Sequence, residues 1–510
     1  MNQTENNLSD NIISDSSQRI AAIDLGSNSF HMLLAESSDH GLKVFHREKR
    51  QVALAKGLDD NDNLSQESIE TALQTLKMFS DILQQFQPDL VRIVGTYTFR
   101  TARNIKTLID QAKTFLPYPI EIMSGTEEAR LIFQGVSHNN VLKHNHLIVD
   151  IGGGSTEMII GKDHTPLQLH SCNVGCVSLS DHYFSEGDIT PAAFKKAIIF
   201  AEQQLDPIKR RYRKTGWKTV LGTSGTIKAL SGFVCTNIDA NGIITLDILY
   251  KIKQQLLSAS NVSNIELPGV NEDRYGVICG GLATLIAVFE TMKIDTMIYC
   301  DHALREGLVA EVEDRIHLSD VRDFSVSQLA NRFNADIEQA FRVERDALQV
   351  YDRATAAWNF KDGIYRNLLR WACQLHEVGH QLNYHKANQH AHYIVSNASL
   401  AGFNQEQQEV LAYILLSQRK QLRPESLPEL THYKRKPIFK IILILRLAIL
   451  VNRFRQEGDN SDVQLSFTKK GVDMQFGEEW RHGSELFQAD LEKEQQRFAN
   501  VDLNLTFSFS

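Results

Sequence analysis

Twice in this chain an aliphatic strand runs into an aspartate, a glycine-rich turn and a second aliphatic strand. Aligning Asp24-Leu-Gly-Ser-Asn-Ser-Phe-His-Met-Leu-Leu with Asp150-Ile-Gly-Gly-Gly-Ser-Thr-Glu-Met-Ile-Ile gives identities at Asp, Gly, Ser and Met, with aliphatic residues matched elsewhere. An internal repeat of this kind predicts two related lobes. At 510 residues the chain is also too long for one small fold. Each copy sets a carboxylate at a strand end, where it suits a divalent cation, and follows it with N–H and O–H donors in a concavity suited to phosphate oxygens. One such loop is an ordinary turn; two facing loops clamp a phosphate chain.

Around the repeat, strand-like and helix-like blocks alternate, an α/β pattern. Residues 18–136 are expected to form the first lobe and 137–313 the second. From 314 to 457 long patterns rich in Gln, Arg and Leu predict a helical domain. Alternation in Val463-Gln-Leu-Ser-Phe, Val472-Asp-Met-Gln-Phe and Leu503-Asn-Leu-Thr-Phe predicts a small strand-rich module over 458–510, after the linker-like Gly458–Asp462. Residues 1–17 are polar and Asn/Ser-rich, lack the regions of a signal peptide, and are expected to be a disordered tail. The apolar stretch Ile438–Val451 is too short to span a bilayer, contains Lys440 and Arg446, and reads as a buried helix. Six cysteines are scattered, and Cys172 and Cys176 have no second pair to complete a zinc site. They read as reduced thiols of a cytoplasmic protein.

With 54 basic and 62 acidic side chains the net charge is −8, so the surface as a whole repels polyanions and nucleic-acid binding is not expected. A polyanionic substrate must meet a local positive site. The basic runs Lys209–Lys218, Arg419–Arg423 and Lys434–Lys440 are candidates to line a channel toward the cleft, solvated helix ends being the alternative.

The blocks Ala21–His31, Val94–Asn104, Ser124–Arg130, Val149–Glu157, Gly222–Thr226 and Ala303–Gly307, in this order and spacing, resemble the exopolyphosphatase / guanosine pentaphosphate phosphohydrolase family. The resemblance continues through Leu375-His-Glu-Val-Gly379 and Gly402–Gln407. It implies two actin-like (ASKHA, ribonuclease H-like) α/β lobes with the active site between them, an HD-like all-α domain, and a small C-terminal α+β module. It further implies hydrolysis of a terminal phosphoanhydride, with Mg²⁺ as cofactor and K⁺ as a stimulating ion. The match assigns the catalytic base to Glu128. Residue chemistry alone leaves Glu127 and Glu128 open, because neighbours on a helix point apart and an acid in the first turn also complements the helix dipole. Asp150 and Glu157 match the metal- and water-coordinating carboxylates. Gly152, Gly153, Gly154 and Ser155 from one lobe, and Asp24, Ser27, Asn28 and Ser29 from the other, match phosphate contacts. Gly222, Ser224 and Gly225 of a third glycine-rich turn join them. Arg100 and Arg103, beside a predicted strand end, are candidates for positive charge on the substrate. Arg305 and Glu306 are expected to lock the lobes together rather than serve the cleft.

The leading expectation is processive release of orthophosphate from inorganic polyphosphate; the sibling activity converts guanosine pentaphosphate (pppGpp) to ppGpp. Gly154 points to the first, since the guanosine pentaphosphate branch more often has alanine there. A catalytically silent sensor and a phosphotransferase are further readings, countered by the joint presence of Glu128, Asp150 and Glu157 and by the lack of an assignable adenine pocket. His376-Glu-Val-Gly-His380 satisfies H-E-x-x-H, a zinc-protease pattern when helical. It also resembles the HD motif, with Glu where that motif has Asp, so a structural or regulatory helical domain is expected. A homodimer is implied by the resemblance; membrane association is not indicated.

Overall fold

Each copy of the repeated motif forms a β-hairpin whose turn is the glycine loop. The computed structural model describes residues 17–38, 41–317, 320–360, 363–455, 463–477 and 484–509, so most of the expected N-terminal tail and the linker at 458–462 lie outside the described residues. Two compact units run Met1–Leu318 and Ser319–Ser510.

The first unit opens with the meander β1 (Gln18–Leu25), β2 (Ser29–Ser38) and β3 (Gly41–Gln51). There follow α1 (Gln66–Phe86), β4 (Leu90–Gly95), α2 (Tyr97–Thr101), α3 (Ile105–Ala112), β5 (Ile120–Ile122) and α4 (Gly125–Asn139). The sheet order is β3-β2-β1-β4-β5, antiparallel on the hairpin side and parallel beyond β1. The pattern then recurs as β6 (His146–Ile151), β7 (Thr156–Lys162) and β8 (Thr165–Cys172), followed by α5 (Cys176–Tyr183) and α6 (Pro191–Thr215). It closes with β9 (Thr219–Thr223), α7 (Ser224–Asn237), α8 (Leu246–Ala259), α9 (Tyr275–Met292), β10 (Ile298–Tyr299) and α10 (Leu304–His317). The second sheet, β8-β7-β6-β9-β10, repeats the first in order and in strand direction. Even the register recurs: Asp24 lies opposite His31, and Asp150 opposite Glu157.

Local sequence explains these elements. In α1, Ser65 accepts the Ser68 N–H as N-cap, and Ile69, Ala72, Leu76, Phe79 and Leu83 fall on one buried stripe. β3 escapes a search for alternation because it is an edge strand, with Leu42, Val44 and Phe45 among lysines and arginines and all exposed. The outer face of the first sheet packs on α1 and α3. Its inner face, with Ile20, Ala22, Leu33 and Ala35, shares one core with α4, with Ile148 and Ile159 of the second sheet, and with Leu304, Leu308, Val309 and Val312 of α10. The expected lobe boundary at 313/314 falls inside α10. Helix α10 thus covers the first lobe's sheet although it follows the second in sequence.

The second unit comprises α11 (Val321–Arg332), α12 (Ile337–Trp358), α13 (Ile364–Leu375), α14 (Ala387–Asn397), α15 (Gln405–Ser417) and α16 (Arg435–Val451). After these come β11 (Val463–Thr468), β12 (Gly471–Phe476), α17 (Ser484–Ala499) and β13 (Asn504–Phe509). Strands β12 and β13 are parallel, and α17 supplies the crossover that parallel strands require. Phe476, Leu491, Phe498 and Leu505 belong to the same core as Trp371 and Leu443, so the terminal module completes the helical domain's interior. Helix α16 is buried from Ile438 to Ala448, as expected for that apolar stretch. Among the described residues, the helix long and apolar enough to cross a membrane is α9 with its preceding turn, and it is largely buried in the second lobe.

Candidate active site

The two glycine loops meet. A Cβ added to Gly153 would come within 2.7 Å of Ser27 Cβ, so the close approach of the loops depends on glycine at that position. Between them lies a cavity of about 260 Å³ lined by Asp24, Ser27, Asn28, Ser29, Glu128, Asp150, Gly152, Gly153, Ser155, Ser224 and Gly225.

Several carboxylates line or back this cavity. Glu128 sits in the first turn of α4, whose N-cap Ser124 accepts the Glu127 N–H. Arg100 Nη1 donates to Glu128 Oε2 at 2.8 Å and to the Met123 carbonyl at 2.9 Å. Arg100 therefore orients Glu128 instead of lining the cavity. Asp150 accepts from Thr223 Oγ1. Glu157, fully buried behind the loop, accepts from Ser171 Oγ at 2.7 Å, while its Oε2 and Asp24 Oδ1 are buried without a partner. Burial and then the charge of Glu128 push Asp24 up to about 8. Burial likewise lifts Asp150 to about 6, opposed by the Thr223 hydrogen bond. Burial, Glu128 and Asp150 hold Glu157 well above the carboxylate range. Buried carboxylates that repel one another and leave oxygens orphaned form a donor set suited to a hard cation. Among the described residues no group of three or more Asp, Glu, His or Cys side chains is arranged as a closed metal cage. An ion between Asp24 and Asp150 would take those carboxylates and complete its shell with water and phosphate oxygens.

The same cavity is also lined by cations, and sequence reasoning missed most of them. Lys49 on β3, Lys228 on α7, Arg274 before α9 and Arg305 on α10 all line the cavity. Arg305 thus faces the cleft, whereas Glu306 takes the structural part, accepting the Ala303 N–H at 3.0 Å and pairing with Arg47. Arg274 lies directly on Gly225, where an added Cβ would fall 1.7 Å from Nη2. Ser224 begins α7 at φ 73°, a left-handed conformation that non-glycine residues seldom adopt, and its Oγ donates to the Ile151 carbonyl at 2.8 Å. His31 also lines the cavity with Nδ1 unpartnered; burial, with Arg305, Lys49 and Arg274 nearby, pushes it down to about 3, so it is neutral. Its signal was present in the repeat alignment, where His31 occupies the position of Glu157.

Three expected contacts lie elsewhere. Arg103 is exposed beyond the end of α2, near Asp59. Gly222 is internal to β9, packed on Ile227 and Met297. Gly154 abuts Tyr97, whose Cδ1 would lie 2.1 Å from an added Cβ. The run Lys209–Lys218 ends α6 outside the cavity lining, with Lys209 paired to Asp206 and Arg213 bonded to the Thr291 carbonyl. In the second unit Arg419 stacks over Tyr384 and Lys440 over Trp358. The H-E-x-x-H pattern is not a zinc helix: α13 ends at Leu375, and Val378–Gln381 continues as a 3₁₀ turn. His376 donates through Nδ1 to the Cys373 carbonyl, and Arg455 pairs with Glu377.

Residues 33–316 match the Ppx/GppA phosphatase family, and residues 321–495 match domain III of Ppx/GppA phosphatases. The chain belongs to the Ppx/GppA phosphatase family. A relative from Aeromonas hydrophila, named guanosine-5'-triphosphate,3'-diphosphate pyrophosphatase, is 36% identical over 93% of this chain and 97% of its own length. A relative from Pseudoalteromonas translucida with the same name is 33% identical over 95% and 97%. The crystal structure of an exopolyphosphatase from Cytophaga hutchinsonii aligns with a TM-score of 0.54 at 26% identity, over 59% of this chain and 99% of that one. As a Ppx/GppA phosphatase, the protein is a hydrolase of phosphoanhydrides, with actin-like α/β lobes followed by a helical domain.

Proposed function

We propose that this phosphatase removes the terminal 5′-phosphate of pppGpp, giving ppGpp and orthophosphate. The observation that carries the reading is one cavity lined both by the carboxylates Asp24, Glu128 and Asp150 and by the cations Lys49, Lys228, Arg274 and Arg305. The cations neutralise and align the phosphate chain, and the carboxylates activate water. pppGpp is preferred because relatives similar over nearly their whole length carry that activity in their names. Gly154 no longer argues for polyphosphate, since Tyr97 alone accounts for a glycine there.

Glu128, held at Oε2 by Arg100, orients a water in line with the terminal phosphorus and takes its proton. A P–O bond to water forms as the bond to the bridging oxygen breaks, and ppGpp leaves with that oxygen. Asp24 and Asp150 are the residues that would hold Mg²⁺, with Glu157 buried behind them, and the ion would supply charge neutralisation on the phosphate oxygens.

A second reading, hydrolysis of inorganic polyphosphate, is favoured by the likeness of 59% of this chain to the Cytophaga hutchinsonii exopolyphosphatase. Orthophosphate release is measured with Mg²⁺ from pppGpp and, separately, from long-chain polyphosphate, for wild type and Glu128→Gln. The expected result is release from pppGpp, reduced about 10²- to 10⁴-fold in the variant. Release from polyphosphate alone overturns the substrate, undiminished release by the variant overturns the base, and no release from either overturns the enzyme reading.

A further inference from the structure

Behind Glu128, on the side of α4 away from the cavity, lies a buried ionic cluster that the reaction does not use. Glu127 accepts from Arg130 at both oxygens, Oε1 from Nη2 at 2.7 Å and Oε2 from Nε at 2.8 Å. Arg130 also pairs with Glu311 of α10. The second oxygen of Glu311 pairs with Arg92 of β4 at 2.8 Å. Arg92 in turn lies 3.5 Å from Glu121 of β5. Arg92, Glu127 and Glu311 are among the most buried charged residues of the chain, at 4%, 3% and 2% exposure. Charges so placed are retained at a desolvation cost, and a defined geometry is one use they serve.

Two further facts join this cluster to the cavity. Helices α4 and α10 cross in backbone contact: a Cβ on Gly135 would lie 2.2 Å from the Ala303 carbonyl oxygen, and one on Gly307 would lie 1.9 Å from that of Leu131. The crossing admits no side chain at either glycine, so the two helices are held at a fixed separation. The first turn of α4 carries Glu128 into the cavity, and that of α10 carries Arg305 into it. The cluster therefore pins both helices to the first sheet, one residue from the reacting carboxylate.

We infer that Arg92, Glu311 and Arg130 form a buried ionic brace that positions Glu128, through Glu127 and the α4–α10 crossing, for its work on the attacking water. This rests on the reading of Glu128 as base. Loss of the brace lets the first turn of α4 shift, while Lys49, Lys228 and Arg274 stand on elements outside the cluster. The cost accordingly falls on kcat, since misplacing a reacting group by a fraction of an ångström slows chemistry more than it weakens binding.

The test uses the full chain and whichever of pppGpp and polyphosphate the wild type cleaves faster. Glu311→Gln keeps the shape and removes the charge; Arg130→Lys keeps the charge and removes the two-pronged grip. Each is made alone and together with Glu128→Gln, with a thermal melt of every variant. The expected result is a tenfold or larger fall in kcat, KM within twofold of wild type, and less than twofold further change when Glu128 is already Gln, because residues acting through one group are not additive. Wild-type kcat in a folded variant, a change confined to KM, or an equal fall in both backgrounds overturns the brace. Melting of both single variants below the assay temperature makes it a stability element and also overturns the inference. Full activity of Glu128→Gln alone overturns the base assignment, a result separate from any seen with Glu311 or Arg130.

Discussion

Gly225→Ala separates binding from folding at one atom. The new Cβ falls 1.7 Å from Arg274 Nη2, and the colliding group is the far end of a flexible side chain. The guanidinium therefore moves and the backbone does not. Stability is kept or raised, because replacing a helical glycine by alanine gains about 0.5–1 kcal/mol. What is lost is the place of Arg274 against the phosphate chain. A hydrogen bond to a charged group contributes about 1.5–3 kcal/mol. At a factor of ten per 1.4 kcal/mol, KM rises roughly tenfold to a hundredfold. Glu128 and Arg100 are untouched, so kcat stays within about twofold, the pattern of lost uniform binding. Initial rates of orthophosphate release over a substrate series, with a melt of the same preparation, read both quantities. Arg274→Ala should reproduce the KM change, and the double variant should add little to it. A KM within twofold of wild type in Gly225→Ala, or a lowered melting temperature, refutes the place given to Arg274 in substrate binding.

The cavity carboxylates predict a pH dependence of stability. Asp24 and Asp150, raised to about 8 and about 6, keep protons in the folded state that the unfolded chain gives up near pH 4, so stability falls as pH rises across that window. Without divalent cations the melting temperature should decline from pH 5 to pH 8.5, Asp24→Asn should flatten the decline, and Mg²⁺ should restore most at the alkaline end; a flat profile for the wild type refutes the burial and mutual repulsion that raise them. Gly154→Ala should cost about 1–3 kcal/mol by overpacking Tyr97, with the ratio of pppGpp to polyphosphate rates unchanged. Denaturant melts and paired rate assays check it, and a shifted ratio would return Gly154 to the substrate argument.

Both glycine loops, their aspartates and the pairing of lobes were legible in the sequence because the repeat carries them in one short stretch each. The cationic lining was not. Lys49 lies on an edge strand without alternation, Lys228 on a helix, and Arg274 in a 3₁₀ turn; only the fold makes them neighbours. Arg100 and Arg103 looked alike, yet α2 ends at Thr101 with extended backbone at Ala102, and the two arginines part company there. Glu127 and Glu128 could be separated by family resemblance but not by spacing; the partners that tell them apart are Arg130, which takes Glu127, and Arg100, which takes Glu128. The H-E-x-x-H pattern misled because a spacing rule presumes a helix, and α13 stops one residue before the first histidine.

The placement of α10 bears on how the chain comes off the ribosome. Ile20, Ala22, Leu33 and Ala35 are made long before part of their cover, which includes Leu304, Leu308 and Val312 from the end of the unit. Helix α4 covers part of that face at once, but the part that α10 covers waits while the whole second lobe is synthesised. Contacts so distant in sequence close slowly, and the waiting sheet is the stretch most exposed to aggregation and to chaperones. A chain interrupted between the lobes would leave the first one unfinished, so the duplicated halves are no longer separable as folding units.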